Sequence, residues 1–79
     1  MNIKVKIRLY TSLKKYSIKL NQDSTLVLNK KITLEDLSRY LEIPEDLGRV
    51  YLVDKFPKEK DYFLKDGEEV KIFPFLGGG

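Results

Sequence analysis

The chain has 79 residues, of which 42% are hydrophobic and 34% are charged, and it contains no cysteine and no histidine. This length predicts one small domain, with little volume beside the core for a deep active site. The missing residue types exclude a disulfide framework, thiolate chemistry and histidine-dependent catalysis. Twelve Asp and Glu leave a carboxylate-based enzyme open in principle. The small size favours a chain with no catalytic side chains of its own and no metal site.

The net charge of +3 is unevenly distributed along the chain. Residues 1–31 carry +7, whereas residues 32–79 carry −4. A basic half is compatible with an anionic partner, but the basic residues form no dense block, which favours a solvated surface. No apolar run approaches the roughly 20 residues of a membrane span, and the N-terminus lacks the apolar region of a signal peptide. We expect a cytoplasmic protein without a membrane partner.

The first half of the chain begins with a predicted strand that has one apolar and one basic face. Apolar and polar side chains alternate over residues 3–10, and successive side chains of a strand point to opposite faces. Residues 11–17 break this alternation and predict a helical turn or an ordered loop. Residues 18–20 resemble the start of a short strand, and the β-branched and aliphatic run Thr25–Leu28 predicts a second strand.

The strongest helix signal follows Thr33. Thr33 can cap the helix and Asp36 lies three residues further on, which is the spacing of a capping box. Leucines and a tyrosine then recur at helical spacing on one face: Leu34, Leu37, Tyr40 and Leu41. Because Pro44 disfavours helix at the preceding residue, we expect a helix of about ten residues.

The second half of the chain predicts further strands around this helix. Residues 50–53 are predicted to form the third strand. Residues 54–62 are expected to be a loop, with a short edge strand at Tyr62 and Phe63. Asp66 and Gly67 indicate a turn before a last strand over residues 70–73, which Pro74 ends. This order predicts an α+β domain in which one main helix covers one face of a mixed sheet.

The chain ends in an unusual glycine run, Gly77–Gly78–Gly79. Since glycine lacks a Cβ atom, such a tail can pass where other residues would clash and can offer an unhindered terminal carboxylate. A terminal glycine run can equally be slack chain without a role. By itself the tail does not decide between these two interpretations.

The residues before the tail carry a family resemblance. Residues 64–70, with their Asp-Gly turn, then Ile72-Phe73-Pro74 and finally 76–79 resemble the C-terminal third of the ubiquitin-like sulfur carriers. Within that family, the chain is most similar to the small subunit of molybdopterin synthase, because Phe73-Pro74-Phe75 stands where that branch usually has Phe-Pro-Pro. The chain departs from the pattern at Phe75, and the usual Asn-Gly hairpin after the third strand is absent, with Asp54-Lys55-Phe56-Pro57 in its place.

The resemblance implies a β-grasp domain over residues 1–76 and a flexible tail over residues 77–79. It further implies that an enzyme similar to ubiquitin-activating enzymes uses ATP and Mg²⁺ to adenylate the carboxyl group of Gly79. A sulfur donor then converts this group to a thiocarboxylate, which delivers sulfur inside the large subunit of molybdopterin synthase. The chain itself would bind no cofactor.

The residues leading into the tail are candidate partner contacts: Phe73, Pro74, Phe75 and Leu76. If Val70 and Ile72 pack under the helix, alternation puts Phe73 and Phe75 on the open face of the sheet. Exposed aromatic and apolar side chains there suit a docking surface, although Phe73 could instead belong to the core. Two other functions stay open. One is a ubiquitin-like modifier joined through Gly79 to lysines of target proteins. The other is a small nucleic-acid-binding domain that uses the basic face of the first strand, with Tyr10 stacking on a base.

Overall fold

The computed structural model describes residues 2–75 of the chain. In chain order, the elements are β1 (Ile3–Leu9), a 3₁₀ helix (Thr11–Lys19), β2 (Thr25–Leu28), α1 (Leu34–Tyr40), β3 (Arg49–Val53), β4 (Phe56–Lys58) and β5 (Glu69–Pro74). The strands form one sheet in the order β2-β1-β5-β3-β4. β1 and β5 run parallel at its centre, and the other neighbouring pairs run antiparallel. The mixed sheet expected from the sequence is therefore confirmed.

One face of this sheet is buried. Every second residue of β1 points into the core, as the alternation predicted. β5 places Val70 and Ile72 beside Ile7 and Leu9 through its parallel register, and both residues of β5 are fully buried. Leucines of α1 complete the core from the other side: Leu34 and Leu37, followed by Leu41 at the helix end. Burying a side chain of this size contributes about 1.5–3 kcal/mol, so this two-layer packing is the main source of stability.

The segment after β1 is a 3₁₀ helix over its whole length, and the prediction of a strand start at residues 18–20 is wrong. Leu13 is fully buried, and Tyr16 lies one 3₁₀ turn later on the same side and packs against the core. Ile18, which suggested a strand, points outward and is 89% exposed. Burial of Leu13 therefore outweighs the local β preference of Ile18, and the segment forms a 3₁₀ helix.

The predicted capping box at the start of α1 is present. The Asp36 amide donates to Thr33 Oγ1 at 3.1 Å, and the Thr33 amide donates to Asp36 Oδ2 at 3.1 Å. These bonds from Thr33 hold the pKa of the Asp36 carboxyl below its ordinary value. The helix is shorter than expected, with seven residues, because Glu42 adopts a left-handed conformation (φ +64°) before Pro44 is reached.

A tight hairpin connects β3 to β4. Its two central residues, Asp54 (φ +49°) and Lys55 (φ +76°), both have the positive φ that such hairpin turns require. The Asp54 carboxylate also accepts a hydrogen bond from the Glu69 amide at 3.0 Å, which ties the turn to β5. The expected loop with an edge strand at Tyr62–Phe63 is wrong, since the edge strand is β4 and Phe63 makes an isolated bridge to Thr33.

The predicted turn before β5 is confirmed. Gly67 has a φ of +86°, which side chains rarely allow. The turn is fastened to β1, because the Gly67 amide donates to the Lys4 carbonyl at 2.8 Å and the Lys4 amide donates to Asp66 Oδ1 at 2.8 Å. β5 is slightly longer than predicted and includes Pro74, which lies opposite Arg49. Among residues 2–75, no helix is long and apolar enough to cross a membrane.

The connection between β4 and β5 is held by Tyr62 and Glu68. Tyr62 Oη donates a hydrogen bond to one carboxylate oxygen of Glu68, and the Lys65 amide donates to the other at 2.6 Å. The bond to Glu68 stabilises the protonated tyrosine and raises the pKa of Tyr62 to about 12. This pair therefore fixes the loop that leads into β5.

We expect the change Thr33→Ala to lower the free energy of unfolding by about 1 kcal/mol, because the helix loses its cap. Urea denaturation followed by circular dichroism measures this change. Ser12→Ala, at an exposed serine in the 3₁₀ helix, serves as a control that changes the value by less than about 0.5 kcal/mol. Equal effects of the two changes would contradict the role of the cap.

The pair of Tyr62 and Glu68 also predicts a pH dependence. Since the folded pKa of Tyr62 lies above the ordinary value of 10.0, its bond stabilises the fold below that pH, and this contribution is lost as the pH rises through about 12. Ultraviolet titration should show a late tyrosine component that is absent in Tyr62→Phe and still present in Tyr40→Phe, a matched change on α1. A late component that persists in Tyr62→Phe would refute the assignment.

Candidate functional site

The face of the sheet opposite α1 is open to solvent. Alternate residues of the strands point to it. The cross-strand registers place Lys71 between Arg8 and Leu52, and Val27 beside Lys4. Its apolar residues gather at the end of β5, where we define an apolar patch consisting of Tyr10, Val50, Leu52, Phe73 and Phe75. The open face therefore offers an apolar surface where β5 leads into the glycine tail.

Two aromatic rings form the centre of the apolar patch. Tyr10 and Phe73 stack with their ring centroids 4.3 Å apart and their planes inclined by 10°. Val50 lies directly opposite Phe73 on β3 and is 40% exposed. The predicted outward direction of Phe73 is confirmed, since its neighbour Ile72 is fully buried on the other face. Phe73 is half-buried by Tyr10, so it is a surface residue that is already partly packed.

Phe75 is the last described residue and the most exposed member of the patch, at 57%. Its amide donates to the Gly48 carbonyl at 2.8 Å, so the pairing with the chain before β3 continues one residue past Pro74. A Cβ atom on Gly48 would lie 3.3 Å from the Phe75 Cβ, which is tighter than ordinary contact. The absence of a side chain at Gly48 therefore allows Phe75 to lie close against it.

The other predicted site residues divide into two groups. Pro74 is half-buried and lies on the side of Arg49, away from the open face. The predicted contact Leu76 and the tail, Gly77, Gly78 and Gly79, lie outside the described residues. Sequence reasoning missed Val50 and Leu52, although their alternation with the buried residues of β3 was a signal for their outward direction. It also missed Gly48, whose role depends on a distant partner.

Basic side chains lie on the open face beside the apolar patch, and the structure pairs some of them. Arg8 Nε lies 3.0 Å from a carboxylate oxygen of Glu69. Hydrogen bonds from Thr25 lower the pKa of the Asp23 carboxyl, and the nearby charge of Lys4 adds to this effect. Tyr10 uses one ring face to stack on Phe73. The ion pair of Arg8 and the stacking of Tyr10 reduce the unpaired cations and exposed rings that a nucleic-acid platform uses.

The described residues offer little material for catalysis. Among residues 2–75, no group of three acidic side chains is placed to hold a metal ion. An open groove of about 630 Å³ borders the sheet and runs past Leu47 and Val50 toward Lys58. Because this groove is open to solvent, it resembles a contact surface more than an enclosed active site.

The chain is similar to known proteins in sequence and in fold. A sequence model of the ThiS family matches residues 7–79. The solution structure of the Haloferax volcanii HVO 2177 protein is similar with a TM-score of 0.71 and 18% identity, over 99% of this chain and 88% of that chain. The solution structure of Urm1 from Trypanosoma brucei is similar with a TM-score of 0.56 and 19% identity, over 99% of this chain and 97% of that chain. No curated protein sequence gives a significant match. At these identities the structural likeness concerns the fold, and it confirms the expected ubiquitin-like β-grasp architecture.

Proposed function

The chain belongs to the ThiS family of ubiquitin-like sulfur carriers, and on this premise we propose that it carries sulfur as a thiocarboxylate on the carboxyl group of Gly79. The observation that supports this proposal most is the extent of the family match, which runs through Gly79 and so includes the glycine tail. Sulfur transfer by such a carrier needs a terminal acyl group and a tail that can enter the active sites of partner enzymes. It does not need a side chain of the carrier itself.

The proposed reaction has two steps. A carboxylate is a poor electrophile, so the Gly79 carboxylate first attacks the α-phosphorus of ATP and releases pyrophosphate, which leaves an acyl-adenylate. A sulfur donor at the oxidation level of sulfide, such as hydrosulfide, then attacks the acyl carbon and forms the C–S bond while AMP leaves, so that the carboxyl group has become a thiocarboxylate. An adenylating enzyme similar to ubiquitin-activating enzymes supplies ATP and Mg²⁺. The missing Cβ atoms of Gly77, Gly78 and Gly79 suit a tail that threads a narrow active site.

The apolar patch is the proposed docking surface for this enzyme. Val50 and Phe75 expose 40% and 57% of their surface, and both lie where β5 leads into the tail. Burying exposed aromatic and aliphatic side chains is the usual source of affinity at the centre of an interface. A partner that docks here would hold the carrier next to the residues that it modifies. Phe73 and Phe75 are thus the proposed partner contacts within this patch. Pro74 lies on the other side of β5, and a contact at Leu76 stays a prediction.

For the acceptor of the sulfur we propose the large subunit of molybdopterin synthase, with which this chain would form a hetero-oligomer. The support is the sequence Phe73-Pro74 ahead of the tail, which is similar to the corresponding segment of the molybdopterin branch. Phe75 replaces the second proline of that branch and adds exposed aromatic surface at the same place. Sulfur transfer tested separately with this subunit and with a thiazole-forming enzyme would distinguish the two pathways.

We expect one alanine added after Gly79 to abolish ATP–pyrophosphate exchange by the host's adenylating enzyme, because the attacking carboxylate is displaced from Gly79. The same alanine added before Met1 is the matched control and should leave the exchange rate unchanged. Circular dichroism should show the same fold for both variants. Normal exchange with the C-terminally extended chain would contradict activation at Gly79.

We expect Val50→Asp to weaken binding of the adenylating enzyme about 10- to 100-fold, since it places a charge in the docking surface. Isothermal titration calorimetry measures the dissociation constant. Val27→Asp is the matched control, because Val27 is also an exposed valine of the open face but lies on β2, at the far edge of the sheet. Equal weakening by both changes would refute the assignment of the patch.

A further inference from the structure

Arg49 connects three parts of the fold through its guanidinium group. Its Nε atom donates to Tyr51 Oη at 2.8 Å and to Ser38 Oγ at 3.2 Å. Its Nη1 atom donates to two backbone carbonyls of the loop before β3, to Leu47 at 2.6 Å and to Pro44 at 3.1 Å. One half-buried side chain thereby ties the loop over residues 44–48 to α1 and to β3.

The polar atoms below this guanidinium group would remain paired without it. Ser38 is fully buried, and its hydroxyl lies 2.6 Å from Tyr51 Oη, so these two groups satisfy each other. The contacts that depend on Arg49 are therefore the ones to the carbonyls of Pro44 and Leu47. The planar guanidinium reaches both sides at once, which the single ammonium group of a lysine could not do.

The loop that Arg49 holds is also the loop that receives Phe75. Gly48 directly follows Leu47, and its carbonyl accepts the Phe75 amide at 2.8 Å. Arg49 itself lies opposite Pro74 in the register of β3 and β5. The contact between Gly48 and Phe75 is the last backbone hydrogen bond of the described chain on this side, so the position of the loop determines where Phe75 lies.

We propose that Arg49 is a positioning residue for the glycine tail: by fixing the loop over residues 44–48, it fixes Phe75 and the direction in which the chain leaves the sheet. The effect on activation rests on the proposed function, whereas the effect on Phe75 does not. A rigid departure point reduces the conformational freedom that the chain loses when Gly79 is held in the adenylating enzyme. Arg49 acts through Phe75 and touches no reacting atom.

The test compares Arg49→Met with Tyr51→Phe. Methionine retains an apolar stem but loses all four hydrogen bonds, whereas Tyr51→Phe disturbs the same network and keeps the contacts of Arg49 with Pro44 and Leu47. Amide hydrogen exchange by NMR reports on Phe75 directly. In Arg49→Met we expect exchange at Phe75 to be about tenfold faster, with the amides of Val70 and Ile72 little changed, because the opening is local. In Tyr51→Phe, the ratio of the exchange rate at Phe75 to the exchange rates at Val70 and Ile72 should stay at its wild-type value.

ATP–pyrophosphate exchange supplies the second readout. Because Arg49→Met leaves every residue of the apolar patch except Phe75 in place, we expect the KM for the carrier to stay within about threefold and kcat to fall about tenfold. Tyr51→Phe should leave both constants near the wild-type values. This split between KM and kcat separates positioning of the tail from a general loss of stability, which would lower the amount of active carrier.

Three results would overturn the proposal: unchanged exchange at Phe75 in Arg49→Met, equal acceleration of all amides of β5, or an unchanged kcat despite faster exchange at Phe75. A wild-type chain that a competent enzyme does not adenylate would overturn the proposed function instead. In that case hydrogen exchange would still test whether Arg49 fixes the position of Phe75.

Discussion

The parallel pairing of β1 with β5 is the interaction on which the rest of the structure depends. It places the last strand of the chain at the centre of the sheet, with β1 on one side and β3 on the other. One face of β5 is then buried under α1 through Val70 and Ile72, and the other face presents Phe73 to the solvent side. A strand that is paired on both edges is rigid, so the chain leaves it at a well-defined place. This one pairing therefore determines which face of β5 is open and where the chain leaves the sheet.

The same constraint explains why a chain without catalytic side chains suits the proposed role. A small domain cannot enclose an active site of its own, but it can offer a terminal acyl group to a partner that docks on its surface. The apolar patch lies at the end of β5, which leads into the tail, because Val50 and Phe73 are direct cross-strand neighbours. The network around Arg49 extends the fixed region by one further contact, between Gly48 and Phe75. In the proposed function, binding and chemistry are thus separated: the partner enzyme would hold the patch and act on the tail.

Much of this arrangement follows from local sequence signals. The alternation in β1, the capping box of Thr33 and Asp36, and the turn at Gly67 are short-range features, and the structure contains all three. The failures have two kinds of cause, burial at a distant position and turn residues without the usual signal. Ile18 favours a strand by itself, but burial of Leu13 imposes a 3₁₀ helix, and the turn at Asp54 and Lys55 lacks the glycine that usually marks a hairpin. At the candidate site, the outward direction of Phe73 followed from alternation, whereas the contact of Gly48 with Phe75 depends on the register of β3 with β5, which no local pattern encodes.

The most direct test of the central claim is the intact mass of the chain after incubation with its adenylating enzyme, ATP and a sulfur donor. We predict a mass gain equal to the replacement of one oxygen atom by one sulfur atom, which fragmentation would locate at Gly79. An unchanged mass, with an enzyme shown to be competent on another carrier, would contradict it. Larger species linked to lysines of other proteins, without any thiocarboxylate, would also contradict sulfur transfer and would identify a protein modifier.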